Sequence, residues 1–289
     1  PHVIGLTVIA FGTSAPELFV SLKAALQGHH GVAVGNVIGS NIANILLMIG
    51  TVGVIFPFVC GDSALRRDGF VLLISTVAFV ILCHNGVIKL WHGVIMFSVL
   101  IGYLAYSYIS DRRNLAKDDS IHTREVEEFG TLPDTLPKAV IFTIIGLTGV
   151  IFGARLLVDG AVDVARLLGV SETVIGITMV AFGTSMPELA TTVVAALRRH
   201  NDVALGNIIG SNIFNTLGIL GVVSIVTPIS IPPEVMQANI WVMLGVTTVF
   251  VTAALSLKTL GRPLAIMFCC CYALFVTNQF INLPGLVTG

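Results

Sequence analysis

The sequence predicts an all-α integral membrane fold built around an internal duplication, and three observations predict it. Of the 289 residues, 55% are hydrophobic and 11% charged, where an ordinary soluble domain carries about 25% charged residues. Apolar runs of about twenty residues, the length that crosses a bilayer as a helix, recur along the chain. One stretch of sequence occurs twice, 171 positions apart.

The remaining composition excludes other classes. Fifteen basic residues face sixteen acidic ones, a net charge of −1, so no basic excess points to nucleic acid. The mean hydropathy is +0.95, which leaves too little polar surface for one large water-facing globule. Cys269, Cys270 and Cys271 are consecutive in an apolar run and have no metal-binding spacing; their expected role is packing. Pro1 already stands inside a helical pattern, with no initiator Met and no signal-like charged start. The expectation is a fragment whose beginning is missing.

The pattern predicts nine spans, at about 3–27, 33–57, 69–84, 87–109, 138–158, 173–197, 203–226, 236–257 and 263–282. Polar or Gly/Pro-rich punctuation separates them: Gly28 to Gly31, Asp62 to Asp68, His84-Asn85-Gly86, Pro228 to Pro233, and Gly261-Arg262-Pro263. The stretch 110–137 holds seven acidic and four basic residues and is expected to be a solvated connector. With that loop in the cytoplasm and alternating sides, eleven Lys and Arg fall inside and four, Lys23, Lys89, Arg155 and Arg166, fall outside. This is the bias the positive-inside rule expects, and it puts the C-terminus outside.

The duplication is the strongest signal. IGLTVIAFGTSAPEL at 4–18 answers IGITMVAFGTSMPEL at 175–189, and GNVIGSNIAN at 35–44 answers GNIIGSNIFN at 206–215. Comparing 3–50 with 174–221 gives about 28 identities in 48 positions, beyond chance for two hydrophobic segments. The span holding Gly183 is the fifth after the span holding Gly12, an odd number of crossings, so the second copy enters the membrane from the opposite side. Such inverted repeats are the architecture of secondary transporters. The span 138–158 precedes the second copy; its counterpart falls before Pro1, which predicts a ten-helix parent lacking its first helix here. The expected organisation is a first inverted repeat at 1–109, a cytoplasmic loop at 110–137 and a second repeat at 138–289.

Glu17 and Glu188 occupy equivalent positions deep inside spans, where a carboxylate costs at least about 2.5 kcal/mol and is functional by default. No Lys or Arg lies near either in its helix, so the partner expected is an external cation. Pro16 and Pro187 each release the carbonyl four residues back, at Gly12 and Gly183. Thr13 and Ser14 lie beside Glu17, and Thr184 and Ser185 beside Glu188. Ser40, Asn41 and Asn44 in the next helix are repeated by Ser211, Asn212 and Asn215. All are oxygen donors, which suit sodium and calcium over soft metals. The competing structural reading makes Ser14-x-x-Glu17 a capping box and Gly35-x-x-x-Gly39 a packing motif. Asn36 and Asn207 fit helix capping, interhelical hydrogen bonding or ion contact equally.

GTSAPE with GNVIGSNIAN, and GTSMPE with GNIIGSNIFN, resemble the two alpha-repeats of the cation/calcium exchanger superfamily, especially its prokaryotic sodium/calcium exchanger branch. The resemblance covers essentially the whole chain. It implies ten helices, a mid-membrane site between the second, third, seventh and eighth, and alternating access by sliding of the first and sixth. It implies that Glu17 and Glu188 serve calcium and sodium alike. Thr13, Ser14, Ser40, Thr184, Ser185 and Ser211, with the carbonyls of Ala10 and Ala181, would complete the ion sites, and Asn44 and Asn215 join the candidate set. Some relatives carry Asp where this chain has Asn44 or Asn215, so the site here has two carboxylates. The expected function is Ca2+/Na+ antiport in a prokaryotic inner membrane, with no cofactor and no enzymatic role. Alternatives are a proton-coupled antiporter of the same superfamily and a passive cation channel. An intramembrane hydrolase is weaker, since no base stands beside Ser14 or Ser185.

Overall fold

The computed structural model describes residues 10–60, 63–115, 169–281 and isolated positions between 138 and 167. Of the span expected at 138–158 only isolated positions are described, all of them helical, and most of the 110–137 loop lies outside the described residues.

The first motif is a broken helix, α1 at Ala10–Thr13 and α2 at Ala15–Leu26. The break falls at Ser14 (φ −82°, ψ 5°), two residues before Pro16 denies the backbone a donor. Gly28, at φ +81°, turns the chain beyond α2. It leads to α3, His30–Ile55, whose middle widens into a π-helical turn at Asn44–Ile49. Then follow β1 at Phe58–Val59, α4 at Ser63–Cys83, β2 at Val87–Ile88 and α5 at Leu90–Leu115.

The second motif repeats the first. Helices α6, Glu172–Thr184, and α7, Met186–Leu197, meet at a 42° bend, with Ser185 at the break. Next come α8 at Asn201–Val226, π-helical over Phe214–Ile219, and β3 at Ile229–Ser230. The chain closes with α9 at Val235–Ser256, β4 at Thr259–Leu260 and α10 at Arg262–Ile281. Among the described residues, five continuous helices (α3, α5, α8, α9 and α10) are long and apolar enough to cross a membrane, and the bent α6–α7 pair makes a sixth.

The small strands fix how the copies lie. β1 and β2 sit at opposite ends of α4, about 30 Å apart at 1.5 Å per residue. β1 pairs antiparallel with β4, and β2 with β3. Since β1 follows α3 and β3 follows α8, these equivalent helices finish at opposite ends of α4.

Helices α3 and α8 form the buried centre, while α4, α5 and α10 expose Phe70, Ile74, Trp91, Ile95, Ile266 and Leu274 as a lipid-facing surface requires. Glycine sets the closest approach. A Cβ on Gly39 would lie 2.2 Å from the Ile177 carbonyl oxygen and 2.7 Å from Ala181 Cβ, so α3 and α6 touch backbone to backbone. His29, in the turn before α3, pairs with Glu172 at the start of α6.

Two boundaries differ from expectation. Residues 63–68, expected as polar punctuation, form the first turns of α4. Asp68 is buried there because Arg67 neutralises it: Nε to Oδ1 is 2.6 Å and Nη2 to Oδ2 is 3.1 Å. Arg67 also donates to Ser107 of α5 at 2.7 Å. Helix α5 runs past position 109 to Leu115. Hydropathy marks where apolar sequence stops, and both helices continue into polar sequence beyond that point.

Candidate cation site

Glu17 and Glu188 fall in the first turns of α2 and α7, and both are fully buried. The capping-box geometry is not formed: neither Ser14 nor Ser185 makes a side-chain cap bond. Each serine instead crosses to the other copy. Ser14 Oγ donates to Glu188 Oε1 at 2.7 Å, and Ser185 Oγ to Glu17 Oε1 at 3.1 Å. The second oxygen of each carboxylate, Oε2, is buried with no hydrogen-bond partner.

The predicted threonines and carbonyls sit on the helices leading into the breaks. Thr13 Oγ1 lies 3.3 Å from the Ala10 carbonyl oxygen, and Thr184 Oγ1 3.3 Å from that of Ala181. Those carbonyls also accept the Ser14 and Ser185 backbone N–H groups, each at 3.0 Å. A carbonyl oxygen has two lone pairs, so Ala10 and Ala181 are engaged within their own copies here.

On the central helices, Asn44 Nδ2 donates to Asn212 Oδ1 at 3.1 Å and so joins α3 to α8. Ser40, Ser211 and Asn215 are buried and make no hydrogen bond to the other candidates. Contact of Gly39 with Ala181 brings the neighbouring Ser40 segment to the α6 break.

Sequence reasoning missed Thr216, which accepts from Asn41 Nδ2 at 2.9 Å; the same amide lies 3.7 Å from Met243 Sδ. The counterpart of Thr216 in the 171 register is Ile45, which has no acceptor, and the Asn212 Nδ2 group is correspondingly orphaned. Aligning hydroxyl positions across the two copies, and not only identities, would have found this asymmetry.

Seven buried oxygens lack partners in this region: Glu17 Oε2, Glu188 Oε2, Ser40 Oγ, Ser211 Oγ and the Oδ1 atoms of Asn41, Asn44 and Asn215. An orphaned buried polar atom costs about 1–3 kcal/mol, and a charged one more, so such a concentration signals a ligand. Among the described residues no cluster of three or more His, Cys, Asp or Glu side chains exists. Nor does either glutamate form an ion pair among them, whereas Glu172 pairs with His29 and Asp68 with Arg67. Two carboxylates with hydroxyl and amide oxygens make a donor set for a hard cation.

Comparison with known proteins agrees with this chemistry. A family model described as sodium/calcium exchanger protein matches residues 1–109 and 138–281. The chain is 35% identical to the putative antiporter CaxA of Alkalimonas amylolytica, across 97% of this chain and 88% of that protein. It is 37% identical to the inner membrane protein YrbG of Escherichia coli, across 86% and 77%. The solved structure of the sodium-calcium exchanger NCX_Mj superposes with a TM-score of 0.75 at 32% identity, covering 96% of this chain and 86% of the other. The paired motifs, the helix architecture and the family match together show that this chain belongs to the sodium/calcium exchanger family.

Proposed function

We propose that the protein exchanges Ca2+ for Na+ across the membrane by alternating access, and that Glu17 and Glu188 are the shared anionic ligands of both ions. The observation that carries the reading is the pair of buried carboxylates, each tethered to the opposite copy through one oxygen and orphaned at the other. Two negative charges in a low-dielectric interior repel, so one Ca2+ or a set of Na+ ions is needed to neutralise them. Only a neutralised site crosses between the two faces, which couples the flows.

In this reading Thr13, Ser14, Ser40, Asn44, Thr184, Ser185, Ser211 and Asn215 line the ion path, with the Ala10 and Ala181 carbonyls joining once their hydroxyl partners turn away. The chain divides into inverted repeats at 1–109 and 138–289, joined by a cytoplasmic loop at 110–137. The opposite finishing ends of α3 and α8 support that relation. The excess of Lys and Arg on the loop side supports a cytoplasmic-membrane orientation with the C-terminus outside. No cofactor is needed, because the ion gradients drive the cycle.

Proton coupling is the second reading, since the same two carboxylates carry protons as readily as they carry cations. The deciding experiment is calcium-45 uptake into proteoliposomes loaded with sodium and diluted into sodium-free buffer, beside a choline-loaded control. Uptake is expected only with the outward sodium gradient. Uptake driven by an imposed pH gradient alone would move the coupling ion to the proton. Flux without any counter-ion gradient would make the protein a channel.

A further inference from the structure

Six buried asparagines lie on α3 and α8, and two of them differ from the rest. Asn41, Asn44, Asn212 and Asn215 each keep at least one polar side-chain atom without a partner, whereas Asn36 and Asn207 keep none. Asn36 Nδ2 donates to the Glu17 backbone carbonyl at 3.3 Å and to Ser21 Oγ at 2.9 Å, and its Oδ1 accepts from Thr184 Oγ1 at 3.1 Å. Asn207 repeats the arrangement. Its Nδ2 donates to the Glu188 carbonyl at 3.4 Å, to Thr191 Oγ1 at 3.1 Å and to Thr192 Oγ1 at 2.9 Å, and Oδ1 faces Thr13 Oγ1 at 3.5 Å. Ser21 and Thr192 are themselves equivalent positions. An amide has two N–H donors and one oxygen, so every polar atom of both side chains is already engaged within the protein.

The threonine hydroxyl is the informative partner. Thr184 Oγ1 carries one hydrogen but has three acceptors in reach: Asn36 Oδ1 at 3.1 Å, the Val180 carbonyl at 3.0 Å and the Ala181 carbonyl at 3.3 Å. The choice of acceptor decides which oxygens remain free. With the hydrogen on Asn36, the Ala181 carbonyl keeps a lone pair beyond the one that takes Ser185 N–H, and the threonine oxygen turns its own lone pairs away from α3. With the hydrogen on a carbonyl of α6, that oxygen is blocked.

We propose that Asn36 and Asn207 are positioning residues that accept the Thr184 and Thr13 hydroxyl hydrogens, releasing the Ala181 and Ala10 carbonyl oxygens and the threonine oxygens to the cation. Each asparagine holds the backbone of the glutamate of its own copy and the hydroxyl of the other copy, so the acceptor is in place only while the two copies are docked. Ion affinity is thereby tied to the relative position of α3 against α6, and of α8 against α1. The inference rests on the cation-site reading of Glu17 and Glu188.

The test is equilibrium calcium-45 binding to the purified full chain, with sodium competition, for Asn36→Leu, Thr184→Val, the double variant, and Asn36→Leu with Thr184→Ser. Asn36→Leu is expected to weaken calcium and sodium binding about five- to tenfold, the worth of one buried hydrogen bond. In the Thr184→Val background the same change should cost less than about twofold, because no hydroxyl hydrogen remains to be placed. In the Thr184→Ser background the full effect should return. A purely structural role would lower thermal stability and give the same factor in every background. Equal losses with and without the hydroxyl would therefore overturn the proposal, as would unchanged affinity in Asn36→Leu. Should Asn36→Leu fail to fold, the mirror cycle of Asn207→Leu with Thr13→Val decides on the same criteria. Glu17→Gln is the control: if it binds calcium normally, the cation-site reading fails; if it loses binding while Asn36→Leu does not, this inference alone fails.

Discussion

Ser14 of the first copy donates to Glu188 of the second at 2.7 Å, and Ser185 of the second donates to Glu17 of the first at 3.1 Å. Neither carboxylate is held by the serine of its own motif, although that serine lies three residues away in sequence. The site is therefore a property of the contact between copies, and any motion of one against the other changes both tethers together. Hydrogen bonds to a charged group contribute about 1.5–3 kcal/mol. Ser14→Ala and Ser185→Ala are each expected to raise the calcium concentration for half-maximal uptake by about tenfold or more, with protein yield unchanged. Calcium-45 uptake into proteoliposomes measures this, and a change below twofold in both variants would detach the serines from the site.

Glu17→Gln and Glu188→Gln separate function from folding in opposite directions. Removing a buried charge that lacks a basic partner relieves desolvation, so each ligand-free variant should melt at or above the wild-type temperature. Transport should fall at least a hundredfold. Bound ligand stabilises the wild type by about 2.7 kcal/mol at a hundred times its dissociation constant, so calcium should raise the melting temperature of the wild type and chelation should lower it. In both variants that response should vanish. A calcium-dependent shift that persists in Glu17→Gln would remove this residue from the ligand set.

In the proposed cation site, protons and metal cations compete for the same two carboxylates. A carboxylic acid must lose its proton to ligate, so calcium binding releases protons and weakens as the pH falls. The expected result is a calcium half-saturation constant that rises steadily on acidification while the maximal rate at saturating calcium holds. Direct proton release can be followed with a pH dye in weakly buffered solution. Calcium binding that releases no proton at any pH would place the charge of the site elsewhere.

Much of this was legible because the chain states it twice. Glu17 and Glu188 stood out as acids inside apolar spans, and the prolines beside them located both helix breaks to within two residues. The serine exchange was not legible, since nothing local says that Ser14 prefers Glu188 to the nearer Glu17; that choice is made by the docking of α1 against α7. The π-helical turns at 44–49 and 214–219 escaped too, because residue type does not encode an i→i+5 bond. Asp68 was read as a loop residue because charge inside a span is costly, and the neutralising partner, its own neighbour Arg67, becomes evident only with the helix built.

Asp68→Asn follows from that pairing. It removes the carboxylate charge that faces the part-buried Arg67 guanidinium, and breaking a buried pair typically costs about 3–5 kcal/mol. Thermal unfolding in detergent should move to lower temperature. Calcium affinity of the folded fraction should stay within twofold, because the cluster tethers α4 to α5 through Ser107 and touches none of the candidate ion ligands. A large loss of affinity at unchanged stability would instead make Asp68 a member of the ion path.

Gly39 and Gly102 test how close α3 and α6 must come. Both are helical glycines, but a Cβ at Gly39 would meet the Ile177 carbonyl at 2.2 Å, whereas one at Gly102 meets nothing within 4 Å. Backbone cannot retreat like a side-chain tip, so Gly39→Ala must push α6 away from α3, carrying Ala181 and Thr184 off Ser40 and Asn36. Overpacking alone costs about 1–3 kcal/mol; the displacement of ligands adds a loss of transport of at least tenfold. Gly102→Ala, by contrast, gains up to about 1 kcal/mol of helix propensity and should transport normally. Paired melting and uptake measurements on the two variants distinguish a site that depends on backbone contact from one that tolerates looser packing: if Gly39→Ala transports as well as Gly102→Ala, the α3–α6 contact does not set the ion geometry.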